Sequence, residues 1–311
     1  MITVLAGGVG AARLLRGLVH VVPPAEVTAV VNTGDDTVLH GLHISPDIDT
    51  VMYTLSGRND DERGWGLAGE TWTVMEALEA LGGESWFRLG DRDLATHLYR
   101  TERLHQGATL SQATAELASA LGVGVSLLPM SDRPVQTRLV LAADGREVGF
   151  QEYFVRLRHD VEVAAVRFAG VETAEPAPGV LEMLQAATTI VVAPSNPVVS
   201  IGPILAVPGV AEVLRQRRAD VVAVSPIVAG AALKGPADRL LRELGEESSV
   251  VGIARRYASL VGTLVVDEAD RTRAGAVEGA GVACLVAPTV MHGPTEAAAL
   301  ARILLRVPAR P

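Results

Sequence analysis

Short apolar runs alternate with amphipathic segments along most of the chain. Residues 2–6, 27–31, 189–193, 221–224, 263–266 and 282–287 are continuously apolar or nearly so, and rich in β-formers. Such runs, bounded by glycine, proline or polar clusters, predict strands buried on both faces, as in a parallel sheet. Between them the spacing becomes helical. Residues 11–20 place Leu14, Leu15 and Leu18 on one face, and 110–121 carry a stripe completed by Leu117 and Leu121. Further helices are predicted from Val51 onward with Asp49 or Thr50 as cap, over 70–81, and from Asp91 or Asp93 to about Leu104. The pattern adds others ending at Ala187, over 248–260, and from Pro294 to Leu305.

One section breaks this rhythm. From Val125 the period changes to two: 135–141 and 147–155 alternate around Asp144-Gly145, a hairpin signal, and 161–168 adds a strand. Antiparallel strands of this kind fall outside a doubly wound sheet, and Pro176 and Pro178 mark the return to it. The expected class is α/β, a Rossmann-like doubly wound, mostly parallel sheet with an inserted α+β lobe. The expected division is a core of 1–48 and 178–311, with the lobe at 49–177.

Composition narrows the function classes. A formal charge of −9 argues against non-specific nucleic-acid binding, which needs a basic face. Lys234 is the sole lysine among 27 basic side chains, a compositional bias that keeps each arginine from reading as a phosphate clamp. Cys284 is alone, so neither a disulfide framework nor a cysteine-based metal site is expected. No apolar run reaches the roughly eighteen residues of a membrane helix, and Met1 leads straight into a strand with no basic leader. Both features predict a soluble cytoplasmic protein.

Candidate chemistry gathers where the strands end. The first run stops at Gly7-Gly8-Val9-Gly10-Ala11 and a helix follows. Glycines let the backbone approach a phosphate closely, and a helix N-terminus offers free N–H groups and a positive dipole end. The spacing is not the six-residue dinucleotide fingerprint, and a tight strand-to-helix connection is the plainer alternative. The second run ends in Asn32-Thr33-Gly34-Asp35-Asp36, and Ser45-Pro46-Asp47-Ile48-Asp49-Thr50 follows. Four carboxylates close to a phosphate loop suggest Mg²⁺, although each alone also reads as a turn or cap residue. Pro194-Ser195-Asn196-Pro197 and Ser225-Pro226-Ile227 end two more runs, so four strands present small or polar residues to one edge. That arrangement suggests a shared ligand crevice. Loop 56–70, with Trp65, reads as the mouth of the site, and Arg88 beside Trp86 and Phe87 suits a flat ring. His97 reads either as a core histidine or as catalytic, and Lys234 as a solvated loop residue or a phosphate partner.

Taken together, Gly-Gly-Val-Gly-Ala-Ala-Arg at 7–13, Asn-Thr-Gly-Asp-Asp at 32–36 and Ser-Pro-Asp-Ile-Asp-Thr at 45–50 resemble the 2-phospho-L-lactate transferase family of coenzyme F420 biosynthesis. Leu-Gly-Asp-Arg-Asp-Leu-Ala-Thr-His at 89–97, Leu-Pro-Met-Ser-Asp at 128–132, the Pro-Ser-Asn-Pro run from 194 and Ser-Pro-Ile at 225–227 continue the likeness in order, to at least Asp270. Gly-Trp-Gly at 64–66 and Glu-Thr-Trp at 70–72 look closer to the actinobacterial branch, which transfers phosphoenolpyruvate.

The resemblance implies a Mg²⁺-dependent transferase acting on a guanosine diphospho donor and the deazaflavin Fo, with GMP released. It implies Fo binding by Asp49 and Arg88; with these placed, Asp36 and Asp49 are the expected catalytic and metal-binding residues. Asp49 would meet the ribityl hydroxyl, the metal, or both. The nucleotide is expected against Gly7, Gly8, Val9, Gly10, Ala11, Arg13, Asn32, Ser195, Asn196, Pro197, Ser225 and Pro226, and the apolar helix 248–260 would suit the interface of a homodimer. A gluconeogenesis-factor-like regulator that binds a nucleotide sugar is the alternative. It is disfavoured by Thr37-Val38-Leu39-His40-Gly41 after the acidic pair, where that family continues in glycine and serine. An NAD-dependent dehydrogenase is disfavoured because Asn32, not an acidic residue, ends the second strand.

Overall fold

The computed structural model describes residues 1–307. The first apolar runs form β1 (Ile2–Ala6) and β2 (Val27–Val31), buried at every position and joined by α1 (Gly8–Leu18). A small hairpin, β3 (Thr37–Leu39) and β4 (Leu42–Ile44), leads into α2 (Pro46–Leu55), α3 (Thr73–Ala80), α4 (Asp93–His105) and α5 (Leu110–Ala120). Next come β5 (Ser126–Pro129), β6 (Gln136–Leu141), β7 (Glu147–Gly149) and β8 (Val163–Ala169). The chain returns through α6 (Val180–Ala186) to β9 (Thr189–Val192), α7 (Ile201–Ala206), α8 (Val210–Gln216) and β10 (Val221–Val224). It then makes a short hairpin, β11 (Ile227–Val228) and β12 (Ala231–Ala232), followed by α9 (Ala237–Glu243) and α10 (Val250–Tyr257). β13 (Thr263–Val266), α11 (Ala274–Gly279), β14 (Ala283–Val286) and α12 (Pro294–Leu304) complete the order.

The central sheet runs β14-β13-β10-β9-β1-β2-β5, with every neighbouring pair parallel. The chain winds outward from β1 to β5, comes back to β9 beside β1, and winds outward the other way. That reversal is a topological switch point, and its crevice opens beyond the carboxyl ends of β1 and β9. Helices α1, α2 and α12 cover one face, with Leu14, Met52 and Leu300 in its core. Leu184, Leu214 and Ile253 pack the other. Among the described residues no helix is long and apolar enough to cross a membrane.

The structure departs from the sequence expectation in three places. Residues 126–129, expected in the antiparallel section, form β5, an edge strand paired in parallel with β2. The stretch 49–177 is therefore not wholly an addition to the sheet, since it supplies one of its strands. Only 147–149 of the expected strand 147–155 is extended; Glu152–Arg156 is a π-helical turn. Phe150, Tyr153, Phe154 and Leu157 recur at three- and four-residue intervals, and burying Tyr153 by a helical turn overrides the alternation. The expected antiparallel pairing holds for β7-β6-β8.

The third departure concerns helix caps. Neither Asp91 nor Asp93 caps α4. Glu70 does so, accepting from the N–H groups of Arg92 at 2.8 Å and Asp93 at 2.9 Å. Asp91 instead accepts from the Thr71 hydroxyl at 2.5 Å and from the N–H groups of Thr73 and Val74 at 3.1 Å, where α3 begins. The Thr71 hydroxyl and those N–H groups hold its carboxyl down at about 2. The exchanged caps fix α3 against the start of α4. Likewise α2 begins at Pro46, so Asp49 and Thr50 lie inside the helix and not at its cap.

Candidate active site

At the switch point the glycine loop and the turn after β9 are locked together. The Ser195 hydroxyl donates to the Gly7 carbonyl at 2.7 Å. A Cβ on Gly10 would stand 2.5 Å from the Pro194 carbonyl, so only glycine fits. Gly8 has φ +69°, the left-handed conformation that glycine adopts freely. No side chain caps α1, and its N-terminal turn (Val9, Gly10, Ala11) begins directly at the crevice. Arg13, half-buried on that helix, donates to the Met291 carbonyl at 3.3 Å.

Beside this loop lies a buried knot of carboxylates. Asn32 holds it: its Nδ2 donates to Asp47 at 2.9 Å and Asp35 at 3.3 Å, while its Oδ1 accepts from the Gly34 N–H at 2.9 Å. The Asn32 amide is thus engaged within the protein. Asp36 accepts from the Ser45 hydroxyl at 2.7 Å and lies 3.0 Å from His43 Nε2, both on its Oδ2, while its buried Oδ1 has no partner. Burial, with repulsion from Asp47 and Asp36, pushes the Asp35 carboxyl well above the usual range. Burial raises Asp47 to about 7, against the opposing hydrogen bonds from Asn32 and the Gly8 N–H. Burial also raises Asp36.

Those raised carboxyls and the orphan Asp36 oxygen fit a site that takes a hard cation. Among the described residues no three His, Cys, Asp or Glu side chains are grouped to cage a metal. A cation here would draw on one or two carboxylates and complete its shell with substrate oxygens and water, which is the habit of Mg²⁺.

Asp49 stands apart from the knot in its partner. Its two oxygens accept from the two terminal nitrogens of Arg100, Oδ2 from Nη1 at 3.1 Å and Oδ1 from Nη2. His97 Nδ1 lies 3.7 Å from Asp49, and His97 Nε2 lies 3.2 Å from Asp93. Of the two readings of His97, the structure makes it a buried histidine, but one wedged between carboxylates.

Asn196 uses its Oδ1 to accept from the N–H of Val198 at 2.9 Å and of Val199 at 3.3 Å. Pro197 is buried beside it. The Ser225 hydroxyl donates to the Ile227 carbonyl at 2.9 Å and accepts from its N–H at 3.2 Å, closing the turn that carries Pro226. Ser195, Asn32 and Ser225 therefore shape the crevice walls from within.

Arg88 is exposed and its guanidinium lies 4.8 Å from the Trp72 ring centre. Arg63 lies between Trp72 and Trp65, 5.1 and 4.9 Å from the two ring centres. Flat cations and indoles alternate here, a surface suited to stacking a planar ring. No contact among the described residues joins Arg88 to Asp49. Lys234 is exposed on the loop after β12, and a Cβ on Gly64 would meet its Nζ at 2.8 Å.

Sequence reading missed Arg100, Asp93 and Tyr53. The signal was present: polar residues at 93, 97 and 100 repeat at intervals of four and three, which places them on one face of α4. That face is buried, with Arg100 fully enclosed.

These features define a Rossmann-like α/β protein with an acidic, glycine-lined crevice at its switch point. The sequence profile of the 2-phospho-L-lactate transferase CofD matches residues 2–280, and the chain belongs to that family. It is 48% identical to a phosphoenolpyruvate transferase of Streptomyces griseus, over 98% of both chains. It is 42% identical to the phosphoenolpyruvate transferase of Mycolicibacterium smegmatis, over 97% of this chain and 96% of that one. The crystal structure of protein BH3568 from Bacillus halodurans shares the fold, with a TM-score of 0.63 at 19% identity, over 98% of this chain and 99% of that one.

Proposed function

We propose that the chain works in coenzyme F420 biosynthesis, moving a phosphoenolpyruvyl group, or its 2-phospho-L-lactyl counterpart, from a guanosine diphospho donor to the deazaflavin Fo. The observation that carries this reading is the 48% identity, over nearly its whole length, to a phosphoenolpyruvate transferase. It favours the enolpyruvyl donor.

In the proposed reaction the primary hydroxyl at the ribityl end of Fo attacks the phosphorus that bears the enolpyruvyl group. The bond from that phosphorus to the bridging oxygen breaks, and GMP leaves with the oxygen. Positioning and charge neutralisation do most of such work. The glycine loop, with the N-terminal turn of α1, cradles the donor's diphosphate, and the walls formed by Asn32, Ser195–Pro197 and Ser225-Pro226 flank the guanosine. Mg²⁺, held by Asp36, would supply neutralisation of charge on the phosphates. Asp49 was expected in the same role; each of its oxygens accepts from Arg100 and keeps a further lone pair. It is assigned instead to the acceptor, orienting the ribityl hydroxyl and taking its proton.

Arg88 and Trp72 are assigned to the deazaflavin ring. Titration of Fo fluorescence tests this. Arg88→Ala is expected to weaken Fo binding about tenfold, in line with a desolvated cation–π contact, and to leave GDP affinity within twofold. Equal weakening of both ligands, or of neither, would remove Arg88 from the acceptor site.

A further inference from the structure

Arg100 heads the fully buried side chains by volume. A buried guanidinium is costly unless it is closely paired, and this one is directed at a single carboxylate. Of the four acids at the crevice, only Asp49 is bonded to an arginine: Asp35 and Asp47 are held by Asn32, and Asp36 by His43 and Ser45. The contact uses both terminal nitrogens of Arg100 and both oxygens of Asp49, the fork geometry that fixes a carboxylate in plane as well as position. Arg100 is itself braced. Its Nη1 lies 3.3 Å from His97 Nδ1 and donates to the His43 carbonyl at 3.4 Å. His97 Nε2 reaches Asp93 at 3.2 Å, and the Tyr53 hydroxyl donates to Asp93 at 2.6 Å. Tyr53 lies one helical turn beyond Asp49 on α2, so the array spans α2 and α4, its His97 Nε2–Asp93 step being a close ion-pair approach with no hydrogen bond.

We propose that Arg100 is a positioning residue for the transfer reaction, fixing the plane of the Asp49 carboxylate toward the acceptor hydroxyl, with Tyr53, Asp93 and His97 as its brace. The proposal rests on the reading that Asp49 meets that hydroxyl. A tie that merely joined α2 to α4 would hold the helices without affecting turnover through Asp49.

A double-mutant cycle separates the two. The variants are Asp49→Asn, Arg100→Gln and the pair together, with Arg100→Lys as a version that keeps the charge and loses the fork. Turnover and KM for each substrate are measured at saturating Mg²⁺, with the melting temperature of every variant. Removing both charges leaves two amides that can pair, so the double variant is expected to melt above Arg100→Gln. Arg100→Lys is expected to lower kcat at least tenfold with the donor KM within twofold. In the Asp49→Asn background, Arg100→Gln is expected to change kcat by less than twofold. Effects that multiply in that background, or wild-type kcat in Arg100→Lys, would overturn the positioning role and leave the Asp49 reading intact. Near-wild-type kcat in Asp49→Asn alone would instead overturn the reading beneath it, and the proposal with it.

Discussion

Asp49→Asn is expected to lower kcat by a factor of about 10²–10⁴, the usual contribution of a positioned general base. The substitution is isosteric, so the crevice keeps its shape while the proton acceptor is lost. It also leaves the Arg100 guanidinium buried against an amide, and breaking a buried pair in this way costs about 3–5 kcal/mol. The melting temperature should therefore fall as well, and turnover must be measured well below it. Because Mg²⁺ is assigned to Asp36, saturating Mg²⁺ should not restore the rate. Recovery of near-wild-type turnover at high Mg²⁺ would move Asp49 from the acceptor hydroxyl to the metal.

Without divalent cations, stability is expected to fall as pH rises from about 4 to about 8. Asp47 sets the sign. Its carboxyl is raised from 3.8 to about 7 on folding, so between those values the folded chain binds a proton that the unfolded chain has released. A folded-state excess of protons means that stability declines with rising pH across that window. A shift of this size corresponds to roughly 4 kcal/mol, and Asp35, also raised, acts in the same direction. Asp91 works at the acid end: its depressed carboxyl favours folding above pH 4, and that contribution is lost as pH falls toward 2. Thermal melts in chelator from pH 5 to 8 check the descent. Asp47→Asn should flatten it, and Mg²⁺ should restore stability at pH 8, where the crevice carries most negative charge. A profile that stays level, or climbs toward pH 8, would contradict the strained acidic knot.

The switch-point strands were legible because strands buried on both faces are nearly all apolar, and β1, β2, β9, β10 and β13 carry no polar residue other than a single threonine in four of them. The edge strand β5 was hidden. Ser126–Pro129 is too short to show a period, and it precedes a section whose alternation is real. The glycine loop and the acidic residues could be read from order along the chain. Which acid pairs with which base could not, because Arg100 reaches Asp49 across 51 residues. The arginine-rich composition also gave one buried arginine no prominence among its neighbours. Asn32, Ser195 and Ser225 were read as ligand-facing, whereas their polar groups are engaged within the protein: Ser195 with the Gly7 carbonyl, Asn32 with Asp47, Asp35 and Gly34, and Ser225 within its own turn. A side chain's hydrogen-bond partner is a property of the assembled fold, and sequence order reports it only when the partner is local.

The most direct test of the whole account is a reaction containing purified protein, Fo, Mg²⁺ and one of the two guanosine diphospho donors, enolpyruvyl or lactyl, with products read by mass spectrometry. GMP and the dehydro form of coenzyme F420-0 are the expected products from the enolpyruvyl donor. No product from either donor, with a nucleotide sugar bound in the crevice instead, would contradict it.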